Sequence, residues 1–208
     1  MRMYDYIIVG SGLFGSIFAR QMTDAGARCI VVDKRKHIGG NCYTSNNNGI
    51  HVHEYGPHIF HTDSDRVWEY MNRWTTFNNY VNRPKVSYNG QLYSFPINLF
   101  TLYQLWGVKT PKEAQNKLQS VRIKIDNPSN LEEWVLSQVG QEIYEKFIYG
   151  YTKKQWGRSP KDLPSFIIKR LPIRLTFDDN YYEDKYQGIP IGGYTTIFEK
   201  LLKGIPLS

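Results

Sequence analysis

Hydrophobic positions open the chain as a block: Tyr6-Ile7-Ile8-Val9 is an unbroken apolar run between Asp5 and Gly10. Its length and β-branched content predict a strand buried on both faces. A helix is expected over roughly Leu13 to Asp24, ended at Gly26, with a second strand from Arg28 to Val32 that leaves Asp33 at its tip. Ser45-Asn46-Asn47-Asn48-Gly49 is a polar turn, and Ile50 to Tyr55 alternates with period two, as a strand does. Val67, Tyr70, Met71 and Trp74 then recur at helical spacing. Lys85 to Phe95 reads as a β-hairpin closed by Asn89-Gly90, and Pro96 ends it. Beyond it helical patterns take over. Thr110-Pro111-Lys112-Glu113 predicts a capped helix start with proline in the first turn, running towards Arg122. Ser129-Asn130-Leu131-Glu132 predicts another, opening a longer helix through Trp134, Val135, Ile143 and Phe147. Gly188 to Tyr194 leads into a last helix through Phe198 and Leu202. This order predicts an α/β protein. A discontinuous Rossmann-like dinucleotide-binding domain is expected over 1–82 and 182–208, a β-hairpin segment over 83–96 and an α-helical domain over 97–181.

The glycines between the first strand and helix add chemistry. Gly10, Gly12 and Gly15 fit G-x-G-x-x-G, the first for a tight turn, the second for close approach to a pyrophosphate, the third for helix–strand packing. A helix N-terminus after such a turn aims its free N–H groups and positive dipole end at phosphates. Asp33 can accept hydrogen bonds from an adenosine ribose. Strand, helix, strand and acid in that order predict an adenine dinucleotide site. The segment Lys34 to Asn41, with paired Gly39-Gly40, resembles the second part of the fingerprint in FAD-dependent oxidases and mutases, which favours FAD over NAD.

Bulk properties narrow the partners. A formal net charge of +7 suits an anionic ligand. The basic residues are dispersed with no arginine-rich arm, so nucleic acid is not expected as a partner. Cys29 and Cys42 form neither a disulfide framework nor a zinc module, which suits a reducing cytoplasm. No apolar run reaches a membrane span, and Met1 to Val9 lacks a signal-peptide core, so a soluble protein without membrane insertion is expected. Four of the five histidines fall between His51 and His61, yet no cysteine or carboxylate set completes a coordination sphere, and no metal is expected. Gly56-Pro57 is expected to hold a tight loop against the cofactor, with His58 a polar contact to it or a buried, hydrogen-bonded histidine. Sixteen tyrosines, ten phenylalanines and five tryptophans are many for a chain of this size; core packing is expected to take most of them, with a minority open to form a stacking surface for a nucleobase or sugar.

From Phe147 to Arg174 aromatic and basic residues interleave. Spacing leaves two readings open: a nucleotide or nucleotide-sugar pocket, or an amphipathic helix with aromatics inward and lysines in water. Taken together, Gly10 to Gly15, His37-Ile38-Gly39-Gly40-Asn41, Tyr55 to Thr62, Gly150-Tyr151-Thr152-Lys153-Lys154-Gln155-Trp156-Gly157 and Asp178-Asp179-Asn180-Tyr181 resemble the bacterial UDP-galactopyranose mutases, in order and nearly without gaps. The resemblance implies a flavoenzyme interconverting UDP-galactopyranose and UDP-galactofuranose for galactofuranose-containing glycans, by covalent catalysis through N5 of reduced FAD. It implies FAD contacts at Phe14, Asp33, Asn41, His58 and Ile59, and UDP-galactose contacts at Asn82, Phe147, Thr152, Trp156 and Tyr181, with Phe147 and Tyr151 around the uracil. It implies Arg170 as the arginine that pairs with the diphosphate, no catalytic side chain beyond that support, and a homodimer. Family members are nearly twice as long, so the C-terminal part of the family fold is expected to be absent. Two alternatives stand beside this reading: a flavin amine oxidase or desaturase, and a truncated homologue that binds FAD or nucleotide sugar without catalysis.

Overall fold

The computed structural model describes residues 3–168 and 173–208. The chain forms two compact units, Met1–Val81 with Tyr182–Ser208, and Asn82–Tyr181. The hairpin clusters with the second of these.

In the first unit, β1 (Tyr6–Val9), α1 (Leu13–Asp24) and β2 (Cys29–Val32) follow one another, and the two strands pair in parallel from Tyr6↔Cys29 to Val9↔Val32. The chain end closes the far edge of β2: Val31 N donates to Pro206 O at 2.9 Å and Ser208 N to Val31 O at 3.0 Å. An antiparallel hairpin, β3 (Thr44–Asn47) and β4 (Ile50–His53), follows. Then β5 (Phe60–Thr62) leads into α2 (Asp65–Asn72).

β1 corrects the expectation of a strand buried on both faces. Ile8 is buried, with α1 packed over that side and Phe18 edge-on to Tyr6 at 5.6 Å. Ile7 and Val9 are 69% and 84% exposed. The reason is topological. A parallel sheet is covered on both faces only when elements pack on both, and here α1 covers one. Tyr6 N and Gly10 N donate to Arg28 O and Val32 O of the β2 side. By alternation the main-chain groups of Ile7 and Val9 face the other edge, where no strand pairs among the described residues.

The second unit begins with β6 (Lys85–Tyr88) and β7 (Gln91–Ser94), joined by Asn89 and Gly90 at φ 49° and 79°, the two left-handed positions that a tight two-residue hairpin requires. Then come α3 (Leu99–Trp106), α4 (Pro111–Val121), α5 (Leu131–Ile143), a π-helical turn over Tyr144–Tyr149, and α6 (Gly150–Trp156). Leu102, Leu131, Val135, Val139 and Ile143 have no exposed surface. Burying each of these side chains contributes about 1.5–3 kcal/mol. Thr110 caps α4 as expected, accepting from Glu113 N at 3.2 Å. The α5 cap sits one residue later than expected: Asn130 accepts from Glu133 N at 3.0 Å, while the Glu133 carboxylate accepts from Ser129 N and Oγ at 2.8 Å. Both residues can cap, and Leu131 decides the register because it is fully buried as the first helical residue.

The chain then returns to the first unit. There β8 (Tyr186–Gly188) pairs antiparallel with β5, and α7 (Thr195–Leu201) buries Ile197, Phe198 and Leu201 against Met71, Phe77 and Tyr194.

Candidate cofactor and nucleotide sites

In the first unit two glycine segments face each other. A Cβ on Gly40 would lie 3.1 Å from Gly12 Cα, and one on Gly15 would lie 2.0 Å from Gly10 O. Gly10 and Gly39 have φ of +99° and +95°, where only glycine is unstrained. Gly39 N donates to Ser11 O at 3.0 Å, tying the second segment to the first. Helix α1 starts at Gly12 without a side-chain cap or an acidic residue in its first turn, so its leading N–H groups are open to an anion. These observations fit a dinucleotide pyrophosphate.

Asp33 follows β2, and the structure adds its partner. Ser11 N and Oγ donate to Asp33 Oδ2 at 2.7 and 2.6 Å, and Arg35 N donates to Oδ1 at 3.0 Å. Burial pushes this carboxyl up, but the bonds from Ser11 Oγ, Arg35 N and Ser11 N outweigh it and hold it down at about 2. Its folded value lies below the ordinary 3.8, so the stability it contributes is complete above that pH and is lost as pH falls towards about 2. Asp33→Asn should remove that part of the acid destabilisation, seen as a smaller loss of urea midpoint between pH 5 and 2 than in the wild type.

Of the other predicted cofactor residues, Phe14 and Asn41 lie on the two glycine segments, whereas His58 and Ile59 lie just before β5. Phe14 is 85% exposed and stacks on Phe18 at 6.4 Å. Asn41 is exposed and accepts from Arg35 Nη2 at 2.9 Å. His58 is half-buried, its amide donating to His53 Nδ1 at 3.1 Å and its own Nδ1 lying 2.8 Å from Gly56 O. Ile59, half-buried, precedes β5. Burial, then the neighbouring His58 and His51, lower the pKa of His53. Among the described residues no three His, Cys, Asp or Glu side chains come together to hold a metal ion.

The second unit carries a cavity of about 480 Å³. Phe147, Ile148, Tyr151, Thr152, Gln155 and Trp156 form one side, and Phe95, Pro96, Leu131, Ile167, Ile168 and Tyr181 the rest. Five predicted residues therefore meet here: Phe147, Tyr151, Thr152, Trp156 and Tyr181. Phe147 and Thr152 are buried, whereas Tyr151 and Trp156 are 70% and 52% exposed, leaving aromatic surface at the rim. Asn82 does not line the cavity; its carbonyl accepts from Tyr181 N at 2.8 Å. Arg170 lies outside the described residues. Arg174 donates to the carbonyls of Asn180 and Tyr181.

The helix spacing supplied a signal for two lining residues not singled out. Ile148 and Gln155 continue the i, i+4 stripe set by Phe147, Tyr151 and Thr152. Phe95, Pro96 and Leu131 reach the cavity only through tertiary packing. The π-helical turn has no sequence mark, yet it lets the consecutive residues Phe147 and Ile148 both turn inward. Tyr144 anchors it, its hydroxyl donating to Glu132 Oε2 at 2.5 Å, and burial followed by that carboxylate raises the Tyr144 pKa.

Two family models match parts of the chain. Residues 146–207 match the family described as UDP-galactopyranose mutase, and residues 8–74 the NAD(P)-binding Rossmann-like domain. The chain is 45% identical over 204 residues to the dTDP-fucopyranose mutase of Escherichia coli, covering 96% of this chain and 54% of that one. It is 43% identical over 205 residues to the probable UDP-galactopyranose mutase of Klebsiella pneumoniae, covering 97% and 53%. A crystal structure of reduced UDP-galactopyranose mutase superposes with a TM-score of 0.72 at 18% identity, over 99% of this chain and 48% of that one. A putrescine oxidase variant superposes at 0.56 and 15% identity, a likeness of fold. No helix among the described residues is long and apolar enough to cross a membrane. The chain is thus similar to UDP-galactopyranose mutases along nearly its whole length, and it spans about half the length of the curated relatives it matches.

Proposed function

We propose that this chain carries the cofactor-binding and nucleotide-binding parts of a flavin-dependent mutase that interconverts the pyranose and furanose forms of UDP-galactose. The observation that carries this reading is the pairing, within one chain, of a glycine cradle fit for a dinucleotide with an aromatic cavity in a separate unit. Gly10, Gly12, Gly15, Gly39 and Gly40 would hold the FAD pyrophosphate with the α1 N-terminus, Asp33 its ribose, and Phe14, Asn41, His58 and Ile59 its remaining surface. Reduced FAD, when bound, supplies the nucleophilic N5 for exchange at the anomeric carbon.

The chain's own residues bind, orient and neutralise. Tyr151 and Phe147 give the pyrimidine a stacking surface. Thr152, Trp156, Tyr181 and Asn82 hold the nucleotide sugar. Arg170 pairs with the diphosphate, for which a guanidinium provides two parallel charge-assisted hydrogen bonds. Since each sugar form enters and leaves attached to the same diphosphate, the reaction asks for no hydrolytic carboxylate pair. From family resemblance alone, the same reading makes the protein a cytoplasmic homodimer. A second reading is favoured by the 45% identity to a dTDP-fucopyranose mutase: the same machinery acting on a thymidine diphosphate sugar.

The test is flavin absorbance of the purified protein, followed by incubation with UDP-galactofuranose before and after dithionite reduction. Conversion to UDP-galactopyranose only after reduction is the expected result. A yellow protein that stays inactive when reduced, with both UDP- and dTDP-sugars offered, would leave a binding module and overturn the mutase reading.

A further inference from the structure

Within the motif Asp178-Asp179-Asn180-Tyr181, the proposed function uses only the tyrosine. The two residues after Asp179 are heavily tied down. Tyr181 N donates to Asn82 O at 2.8 Å, Arg174 donates to the carbonyls of Asn180 and Tyr181, and Arg83 Nε donates to Asn180 Oδ1 at 2.8 Å. Asp179 itself points elsewhere. Its Oδ2 accepts from Lys85 Nζ at 2.6 Å and from Ser94 Oγ at 3.1 Å, and its Oδ1 lies 3.4 Å from Arg83 Nε.

Ser94 is the fixed point of this arrangement. It is 2% exposed, its amide donates to Gln104 Oε1 at 2.8 Å, and its carbonyl accepts from Thr101 Oγ1 at 2.7 Å. The next two residues, Phe95 and Pro96, form one wall of the cavity, and Tyr181 stands on another with its ring 6.2 Å from that of Phe95. We propose that Asp179 is a positioning residue for the nucleotide pocket, holding the Tyr181 wall to the Phe95–Pro96 wall through one carboxylate. The inference rests on the reading of this cavity as the nucleotide site.

Two weaker roles give different results. If the cluster served stability alone, its loss would show in the melting temperature; but the Lys85 and Arg83 side chains are 46% and 56% exposed, and pairs so placed contribute little. If Asp179 acted only as a charge beside the pocket, neutralising it would release two cations and tighten the binding of an anionic nucleotide. A positioning role predicts the opposite sign, because a displaced wall weakens binding whatever the charge.

The experiment is calorimetric titration of the purified protein with UDP, using wild type, Asp179→Asn, Tyr181→Ala and the double variant. Asp179→Asn is expected to weaken UDP roughly tenfold with little change in melting temperature. The double variant should bind no more weakly than Tyr181→Ala, since residues that act through one another are non-additive. Ser94→Ala, which removes the buried partner of the carboxylate and changes no charge, should weaken UDP in the same direction and covers the case in which the asparagine variant fails to fold. Unchanged or tighter UDP binding by Asp179→Asn, or losses that simply add, would overturn the positioning role and leave the pocket assignment standing. A wild-type protein that binds no UDP would overturn both.

Discussion

Alanine at position 15 is expected to abolish dinucleotide retention. A methyl group there would lie 2.0 Å from Gly10 O and 3.2 Å from Ile8 Cγ2. The first contact is with backbone at the end of β1, held by the bond from Gly10 N to Val32 O at 2.7 Å, so it has little freedom to yield. Helix α1 must therefore lift away from the strand. Overpacking of this kind costs about 1–3 kcal/mol where side chains can adjust, and a backbone contact should sit at or above the upper end. The displacement also carries the helix N-terminus out of the cradle shared by Gly12 and Gly40. The check is flavin content after purification and after incubation with excess FAD, with Gly26→Ala as a comparison: Gly26, unlike the helical Gly15, has a positive φ, but a methyl there would meet nothing within 4 Å. A Gly15→Ala protein that holds FAD like the wild type would show that the cradle is not the cofactor site.

Alanine at position 140 should have an effect as large on the second unit. Gly140 interrupts α5 with φ 75° and ψ 179°, a region open almost only to glycine. A methyl group there would lie 2.3 Å from Val121 O, at the end of α4. Backbone strain of about 1–3 kcal/mol adds to the steric term, so a loss of about 4 kcal/mol in unfolding free energy is expected. Four residues on, the π-helical turn begins and carries Phe147 into the cavity wall. UDP affinity should therefore fall together with the urea midpoint. A variant within about 1 kcal/mol of wild type would mean that the α4–α5 crossing opens at little cost.

What could be read from the chain in advance was what neighbouring residues decide. Strand β1 and helix α1 follow from an apolar run, three glycines and Gly26, all within one βα turn. The β6–β7 hairpin follows from Asn89-Gly90, because two left-handed residues in succession admit little else. Pairings that join distant segments left no local trace. Nothing around Phe60 or Tyr186 announces that β5 and β8 are partners, and Asp179 gives no hint of reaching Ser94. The sequence puts the α5 start at Ser129, since Ser129 and Asn130 are both good caps; burial of Leu131, a tertiary fact, selects the second. The cavity was half legible. Residues on the α6 stripe are periodic, whereas those on the opposite side come from the ends of elements that only packing brings near.

The uncovered side of β1 has a practical consequence. Among the described residues no strand pairs with its outer rim, beside the exposed side chains of Ile7 and Val9, and an open edge of this kind is a template on which extended segments zip together. Handling should thus be governed by protein concentration more than by temperature: dilute samples stay monodisperse, and crowded ones grow β-rich aggregates seeded at residues 6–9.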